Sequence, residues 1–318
     1  MAKRKAATFG QDIMRGEHTL GGGNMGKAST RPGGSGNKAG RQFSDKYEGD
    51  DAWAGQARAV GTTDWMNRKG LSGGCSDGDE GVASGTSIFD PVLCELAYSW
   101  FSPKGGLVLD PFAGGSVRGI VASKLGRAYI GVDLRPEQVD ANRAQGDDLC
   151  PELPPVWHVG DSRDIGNICK GVEADFVFSC PPYADLEVYS DDPKDLSTLK
   201  YDDFKAVYAE IIAKACALLK QDRFACFVVG EVRDKRGNYY NFVGDTIEAF
   251  KAAGLHYYNE AILVTAVGSL PIRAGRQFTA GRKLGKTHQN VLVFVKGDGK
   301  KATKACGSVD VFMPETDD

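Results

Sequence analysis

Short apolar runs without alternation recur along the chain, and stretches with apolar residues on one helical face separate them. Such runs are typical of strands buried on both faces of a parallel sheet, and the stretches between them are typical of covering helices. Strands alternating with helices predict an α/β fold, with a Rossmann-like, seven-stranded, mostly parallel sheet and helices on both faces. The predicted strands are residues 107–110, 129–133, 157–161, 175–180, 224–229, 257–265 and 291–295.

Composition divides the chain into four segments. Residues 1–42 contain eight Lys/Arg, two Asp/Glu and many glycines, which predicts a flexible basic arm. Residues 43–86 are acidic and Gly-rich but include Trp53 and Trp65, so we expect a partly ordered extension. The α/β domain and a polar tail are predicted at residues 87–297 and 298–318.

The overall composition argues against several classes of protein. A formal net charge of −3 and a hydrophobic fraction of 42% are ordinary for a globular protein. No run approaches the ~18–20 apolar residues of a membrane span, and the N-terminus lacks the apolar stretch of a secretory signal. The eight cysteines form no C-x-x-C pair and the four histidines are scattered. We therefore expect reduced thiols, no metal site and a cytoplasmic location.

A glycine-rich turn follows the first predicted strand. It reads Asp-Pro-Phe-Ala-Gly-Gly-Ser at residues 110–116, between a strand and a helix, where backbone N–H groups can approach a ligand. It is neither a G-x-G-x-x-G motif nor a Walker loop. Asp133 ends the second strand, where a carboxylate can accept from both ribose hydroxyls, and Asp161 ends the third, where it can accept from an adenine amino group. The candidate cofactor-binding residues are Asp110, Pro111, Phe112, Gly114, Gly115, Ser116, Asp133 and Asp161.

The fourth predicted strand ends in Cys180, Pro181, Pro182 and Tyr183, which are the candidate catalytic residues. Neither proline carries an N–H, so the strand ends there and the Cys180 carbonyl can point at a ligand. A rigid carbonyl together with one side-chain acceptor can bind both N–H groups of an exocyclic amine on a nucleobase. The Tyr183 ring can stack on a base that has left the duplex.

The two turns carry a family resemblance. Asp-Pro-Phe-Ala-Gly at 110–114 and Pro-Pro-Tyr at 181–183 resemble the motifs of the amino-methylating DNA methyltransferases, and among these the phage and prophage methylases. The resemblance covers roughly residues 86–297. It implies a class I methyltransferase fold, S-adenosyl-L-methionine bound by the first turn and Asp133, and double-stranded DNA as the partner. It also implies methylation of adenine N6 or cytosine N4.

Two residues depart from the family pattern. Cys180 stands where the family usually has Asp, Asn or Ser, and a thiol is a weaker acceptor, so Cys180 or Ser179 supplies the side-chain acceptor. Ser116 replaces a frequent glycine. Three alternatives stay open. They are a C5-cytosine methyltransferase with Cys180 as nucleophile and Glu231 as its partner, an RNA base methyltransferase, and a nucleic-acid-binding protein with a methyltransferase fold but weak or no turnover.

A basic stretch joins the last two predicted strands. Residues 261–297 contain no Asp or Glu, and residues 268–288 are predicted to be a long loop. If the last strand is antiparallel, as the resemblance implies, this loop emerges at the carboxyl ends of the parallel strands, where the two turns lie. Its cations can then contact DNA phosphates and bases. The candidate DNA-binding residues are Arg273, Arg276, Arg282, Lys283 and Lys286.

Overall fold

A seven-stranded sheet organises the computed structural model, which describes residues 89–183, 192–265 and 270–309, without the side chains of 270–273. The strands, numbered along the chain, are β1 (Leu107–Asp110), β2 (Ala128–Asp133), β3 (Val156–Val159), β4 (Ala174–Ser179), β5 (Leu219–Val229), β6 (His256–Val264) and β7 (His288–Lys296). Their order in the sheet is β3-β2-β1-β4-β5-β7-β6. β1 to β5 are parallel, whereas β7 runs antiparallel to both of its neighbours. The predicted mostly parallel sheet is confirmed.

Helices cover both faces of this sheet, as predicted. They are α1 (Pro91–Phe101), α2 (Val117–Lys124), α3 (Pro136–Leu149), α4 (Ile165–Ile168), α5 (Tyr201–Ala217), α6 (Phe242–Ala252), α7 (Leu270–Gly281) and α8 (Gly299–Cys306). Two apolar clusters lie on opposite faces. One packs against α4, α5 and α6, and the other packs against α1, α2, α3 and α8. Asp90 caps α1 as predicted, because its carboxylate accepts from the N–H groups of Val92 and Leu93.

Two segments differ from the sequence prediction. The long loop predicted at residues 268–288 contains helix α7, which forms despite the two glycines within its range. A proline is its second residue, a position near a helix start that tolerates proline. The predicted tail at 298–318 begins with helix α8, which Asp298 caps and which buries Ala302 completely. The predictions for residues 1–42 and 43–86 lie outside the described residues. None of the described helices is long and apolar enough to cross a membrane.

Glycines in α2 and α3 let both helices approach one large side chain. Trp157 of β3 is fully buried, and a Cβ atom added at Gly119 would lie 2.5 Å from its ring. A Cβ atom added at Gly146 would lie 2.8 Å from the same ring. The absence of side chains at these two positions therefore allows α2 and α3 to pack closely against β3.

We expect Gly119→Ala to destabilise the protein by about 1–3 kcal/mol, because Trp157 and its neighbours leave no room for a methyl group. Gly166→Ala is the matched control, since no atom lies within 4 Å of an added Cβ there. Alanine at that helical position should be neutral or stabilise by up to ~1 kcal/mol. Urea unfolding measures both changes, and equal stabilities of the two variants would contradict the packing argument.

Candidate active site

The two predicted turns lie side by side at the edge of the sheet that the carboxyl ends of its parallel strands form. Because β1 and β4 are parallel neighbours, the turns that follow them leave the sheet at this same edge. The Ser179 hydroxyl donates to Asp110 Oδ1 at 2.5 Å and accepts from the Phe112 N–H at 3.2 Å. The end of the strand that leads into the Pro-Pro-Tyr turn is therefore hydrogen-bonded directly to the glycine-rich turn. A ligand on one turn and a ligand on the other would lie close together.

A buried ion pair holds the glycine-rich turn in shape. The Asp110 carboxylate is 0% exposed and receives hydrogen bonds from Arg118 Nε at 2.6 Å and from the Tyr129 hydroxyl at 2.8 Å. Arg118 is 4% exposed and also donates to the carbonyls of Phe112 and Ala113. Burial acts to lower the pKa of Arg118, but the combined influence of Asp110, Tyr129 and Cys180 raises it above its ordinary value. The Arg118 guanidinium therefore stays charged.

This geometry corrects the predicted role of Asp110 and adds Arg118 to the site. A carboxylate without exposed surface cannot contact a bound cofactor, so Asp110 supports the turn from beneath. Sequence reasoning missed Arg118 because a single Arg in the first turn of a helix usually faces solvent. The available signal was its place on the apolar side of α2, next to Val117 and one turn before Val121.

The exposed part of the turn lies against the end of β2. Gly114 has a φ of +49°, and its N–H donates to Asp133 Oδ2 at 2.9 Å. Asp133 also accepts from the Arg135 N–H, and burial raises the pKa of its half-buried carboxyl despite these hydrogen bonds. Gly115 is exposed, with no atom within 4 Å of a built Cβ. The backbone at 114–115 and one carboxylate thus border an open space of the kind a cofactor needs.

Polar side chains of α3 support the same turn from the other side. Asn142 donates to the Gly114 carbonyl at 2.7 Å, and Gln138 in turn donates to Asn142. The Ser116 hydroxyl is buried and hydrogen-bonded to Gln145. Ser116 therefore anchors the turn to α3, and its hydroxyl faces the protein interior. The sequence did not predict a role for these three α3 residues, because their side chains reach the turn only when α3 is packed against the sheet.

Asp161 lies two residues beyond the end of β3, so the predicted strand ended two residues too late. Its carboxylate caps a short 3₁₀ helix (Ser162–Asp164) and accepts from the backbone and guanidinium of Arg163. Burial acts to raise the pKa of Asp161, but the Arg163 hydrogen bonds outweigh it and lower the pKa. The next residue, Ser162, donates to the Pro111 carbonyl at 2.5 Å. This connection brings Asp161 near the glycine-rich turn. The hydrogen bond that Asp161 was predicted to accept from an adenine amino group of the cofactor stays a prediction.

The Pro-Pro-Tyr turn follows β4 directly. Pro181 is buried, and Cys180, Pro182 and Tyr183 are partly exposed. The Tyr183 hydroxyl lies 4.0 Å from the Cys180 sulfur and accepts from Gln289 Nε2 at 2.5 Å. The Tyr183 ring meets Phe242 edge-on at 5.9 Å between centroids. Burial, followed by the influence of Cys180, raises the pKa of Tyr183, so its hydroxyl is protonated at neutral pH.

Two of the alternatives from the sequence lose support at this turn. Ser179 is 0% exposed and its hydroxyl is bonded to Asp110 and Phe112, so it cannot supply the acceptor for a base amine. Glu231, the suggested partner of Cys180 in C5 chemistry, accepts from the N–H groups of Phe242 and Val243. Its carboxylate therefore caps α6 in place of Asn241, which has a left-handed backbone and no side-chain capping bond.

The basic residues lie at the same edge of the sheet as Tyr183. β7 is antiparallel to β5, with Val229 opposite Asn290, so the β6–β7 connection emerges beyond the carboxyl end of β5. Arg276 is exposed, and the Arg282 guanidinium lies 5.0 Å from the ring centroid of Phe278. Lys283 lies over Gly237, where an added Cβ would come within 2.4 Å of its Nζ atom. The Arg273 side chain lies outside the described residues.

The remaining predicted contact, Lys286, is partly buried. Burial lowers the pKa of its ammonium group, and the negative charge of Glu231 opposes this shift. A second basic segment adjoins Lys283, because Gly237 belongs to the hairpin in which Arg233 and Tyr239 pair. The Arg233 guanidinium lies 3.8 Å from the Tyr239 ring centroid.

Among the described residues, no group of three or more His, Cys, Asp or Glu side chains has an arrangement that could hold a metal ion.

We expect Arg118→Met to lower the free energy of unfolding by about 3–5 kcal/mol, because it leaves the buried Asp110 charge without its partner. Lys251→Met is the matched control, since it removes one cation from an exposed pair with Glu248 and should cost less than about 1 kcal/mol. Denaturant titrations measure both values. A small loss in the Arg118 variant would mean that the turn does not depend on this pair.

Comparisons with known proteins bear on the first part of this site. A DNA methylase family model matches residues 94–144. The type II methyltransferase M.Cfr9I of Citrobacter freundii is 48% identical over 46 residues, which cover 14% of this chain and 15% of that relative. TrmN from Thermus thermophilus has a TM-score of 0.45 at 16% identity and covers 67% of this chain and 51% of its own. The magnesium protoporphyrin IX methyltransferase of Synechocystis has a TM-score of 0.45 at 12% identity, with 76% and 96% covered.

The matched segment contains most of α1, strand β1, the glycine-rich turn, α2, β2 and most of α3. It therefore includes Asp110, Gly114 and Asp133 but ends before the Pro-Pro-Tyr turn. The phage-type assignment stays a prediction. Over residues 94–144 the chain is similar to the DNA methylase family, which confirms the predicted resemblance for the segment that contains the Asp-Pro-Phe-Ala-Gly motif.

Proposed function

We propose that this protein transfers a methyl group from S-adenosyl-L-methionine to the exocyclic amino group of adenine or cytosine in double-stranded DNA. The observation that carries the proposal is the pair of hydrogen bonds that join Ser179 to Asp110 and Phe112. They connect a turn suited to the cofactor with a turn suited to a base amine. The DNA methylase match over residues 94–144 supports the same reaction. The reduced state expected for its cysteines suits the cytoplasm.

The cofactor fits the residues around the glycine-rich turn. Asp133 holds one carboxylate at the end of β2, about twenty residues past the turn, where ribose hydroxyls can donate to its remaining lone pairs. The exposed backbone of Gly115 offers a close approach. The cofactor, when bound, supplies an electrophilic methyl group on its sulfonium. The protein residues bind and orient that group.

The base amine would meet the backbone after β4. An exocyclic amine is a poor nucleophile because its lone pair is delocalised into the ring. A hydrogen bond from the amine to the Cys180 carbonyl would orient it, and Pro181 and Pro182 keep that part of the backbone rigid. Tyr183 is partly exposed and would contact the base. C5 chemistry is not favoured, because Glu231 caps α6.

Affinity for DNA would come from the basic segments at this edge. A formal charge of −3 gives the whole chain no general attraction to phosphates, so local clusters must supply it. Arg276, Arg282, Lys283 and Lys286 lie between β6 and β7, and Arg273 belongs to the same connection. Because strands hold both ends of this connection, its residues have a defined position relative to Tyr183. The basic arm at 1–42 would add general affinity.

The function is tested by incubating DNA from a methylation-deficient strain with labelled cofactor and identifying the methylated nucleosides by mass. We expect N6-methyladenine or N4-methylcytosine, and the reaction should be strongly slowed in Tyr183→Ala. Stacking of the base on this ring is worth about 1–3 kcal/mol. Recovery of 5-methylcytosine would support the C5 alternative, and transfer to RNA alone would support the RNA alternative. Cofactor binding without any transfer would indicate a binding protein.

We expect Asp133→Ala to abolish calorimetric binding of S-adenosyl-L-methionine, because the carboxylate shapes the turn and accepts from the ribose. In the wild type, affinity should fall on acidification. Because burial raises the pKa of Asp133, this loss should begin above the ordinary aspartate pKa of about 3.9. Unchanged affinity in the variant would remove Asp133 from the cofactor site. Asp140→Ala, a change of an exposed carboxylate on α3, is the control.

We expect the double variant Arg273→Ala, Arg276→Ala to lose much of its methylation activity while its cofactor affinity stays intact. A well-placed Arg–guanine contact is worth about 1–3 kcal/mol, and a single phosphate contact is worth less. Gel-shift and methylation assays at two salt concentrations measure the effect. Deletion of residues 1–40 should weaken DNA binding modestly and reduce its salt dependence.

The matched control for this pair is Lys300→Ala, Lys304→Ala. Both lysines are exposed on α8, which follows the end of β7 opposite the start of β5, at the other edge of the sheet. The control removes the same number of charges far from the turns and should bind DNA normally. If both double variants lost the same affinity, the contribution would be one of net charge only. If neither lost any, DNA recognition would lie elsewhere, and the region of Trp53 and Trp65 would be tested next.

A further inference from the structure

We propose that Gln289 is a positioning residue that holds Tyr183 in the orientation in which it receives the base. This proposal rests on the proposed function for its consequence, although the contact itself does not. Gln289 Nε2 donates to the Tyr183 hydroxyl at 2.5 Å, across 106 positions of sequence. The hydroxyl in turn lies 4.0 Å from the Cys180 sulfur. These three polar groups form a row along the edge of the sheet at which the two turns meet.

The antiparallel direction of β7 brings Gln289 to this edge. Asn290 pairs with Val229, the last residue of β5, so Gln289 lies one position further, beside Gly230. A Cβ atom added at Gly230 would lie 3.9 Å from Gln289 Cγ and 3.9 Å from the Tyr183 ring. Gly230 therefore forms the floor beneath the contact. A parallel last strand would have placed its first residues at the opposite edge, far from the base-binding turn.

The contacts of Tyr183 explain why a positioning residue matters. Its ring meets Phe242 edge-on, and this apolar contact leaves the hydroxyl end to be fixed by polar neighbours. The hydroxyl is protonated, because burial raises its pKa. A protonated phenol can accept from the Gln289 amide and still donate its own hydrogen toward the Cys180 sulfur. Gln289 therefore determines which side of the Tyr183 hydroxyl faces the Cys180 thiol. In this way it holds the plane of the Tyr183 ring.

The contact is tested first by fluorine NMR of protein that carries 3-fluorotyrosine at position 183. In Gln289→Leu, loss of the amide donor should shift the position-183 resonance and change its width. Asn290→Leu is the matched control, because Asn290 is the next residue on β7 and its amide bonds Glu260 on β6. The control should leave the resonance unchanged. An unshifted resonance in Gln289→Leu would overturn the proposal.

The consequence is tested by methyl transfer to DNA from a methylation-deficient strain. Gln289→Leu should transfer methyl groups about three- to tenfold more slowly, the factor that one neutral hydrogen bond supports, with unchanged cofactor affinity. Tyr183→Phe removes the same bond and should show a similar loss. The double variant should be no slower than either single variant, because both changes remove one interaction.

The outcomes separate this proposal from the proposed function. Full activity in Gln289→Leu, or a double variant whose losses multiply, would overturn the positioning role. If Gln289→Leu acted through a general loss of stability, it would lower the melting temperature equally in the wild type and in the Tyr183→Phe background. If it acts by positioning Tyr183, its effect would disappear in that background. A wild-type protein that transfers no methyl group to DNA would overturn the proposed function, while the fluorine resonance would still report whether Gln289 holds Tyr183.

Discussion

The buried ion pair between Asp110 and Arg118 is the constraint on which the site depends. An ionised carboxylate without exposed surface is stable only when hydrogen bonds satisfy it, and here three side chains and one backbone N–H do so. Two of those donors, Ser179 and Tyr129, come from the strands on either side of β1. The carboxylate therefore ties β4, β1 and β2 together at the point where the glycine-rich and Pro-Pro-Tyr turns begin.

Arg118 extends this constraint into the turn itself. Its guanidinium donates to the carbonyls of Phe112 and Ala113, so the backbone between the strand and α2 has one favoured shape. Gly114 can then direct its N–H toward Asp133, and Gly115 stays exposed. The side chain that performs this work sits beneath the turn and is unavailable to a ligand. A site of this kind separates the residues that hold its geometry from those that touch a ligand.

The antiparallel strand β7 adds the second half of the site. Because it runs against β5, the segment before it emerges beside the Pro-Pro-Tyr turn, with basic residues from α7 to Lys286. The same reversal delivers Gln289 to Tyr183. Glu231 completes this region by capping α6, which fixes the start of the helix that carries Phe242 under the tyrosine ring. The direction of β7 therefore brings the hydrogen-bond partner of Tyr183 and the cations proposed to contact DNA to the same end of the sheet.

The sequence by itself determined the α/β fold, the strand order along the chain and the two turns, because these follow from short apolar runs, from helical patterns of period 3.6 and from glycine and proline stereochemistry. Its site roles for Asp133, at the end of β2, and Tyr183, in the turn after β4, stay predictions, and it predicted a loop where helix α7 lies because glycines and a proline weaken the helical signal. The tertiary structure alone decided that Asp110 and Ser179 face each other and that Arg118 is buried. It also decided that Gln289 meets Tyr183. These contacts join residues far apart in sequence, and no local pattern records which side chains the packing of the sheet will bring within hydrogen-bonding distance.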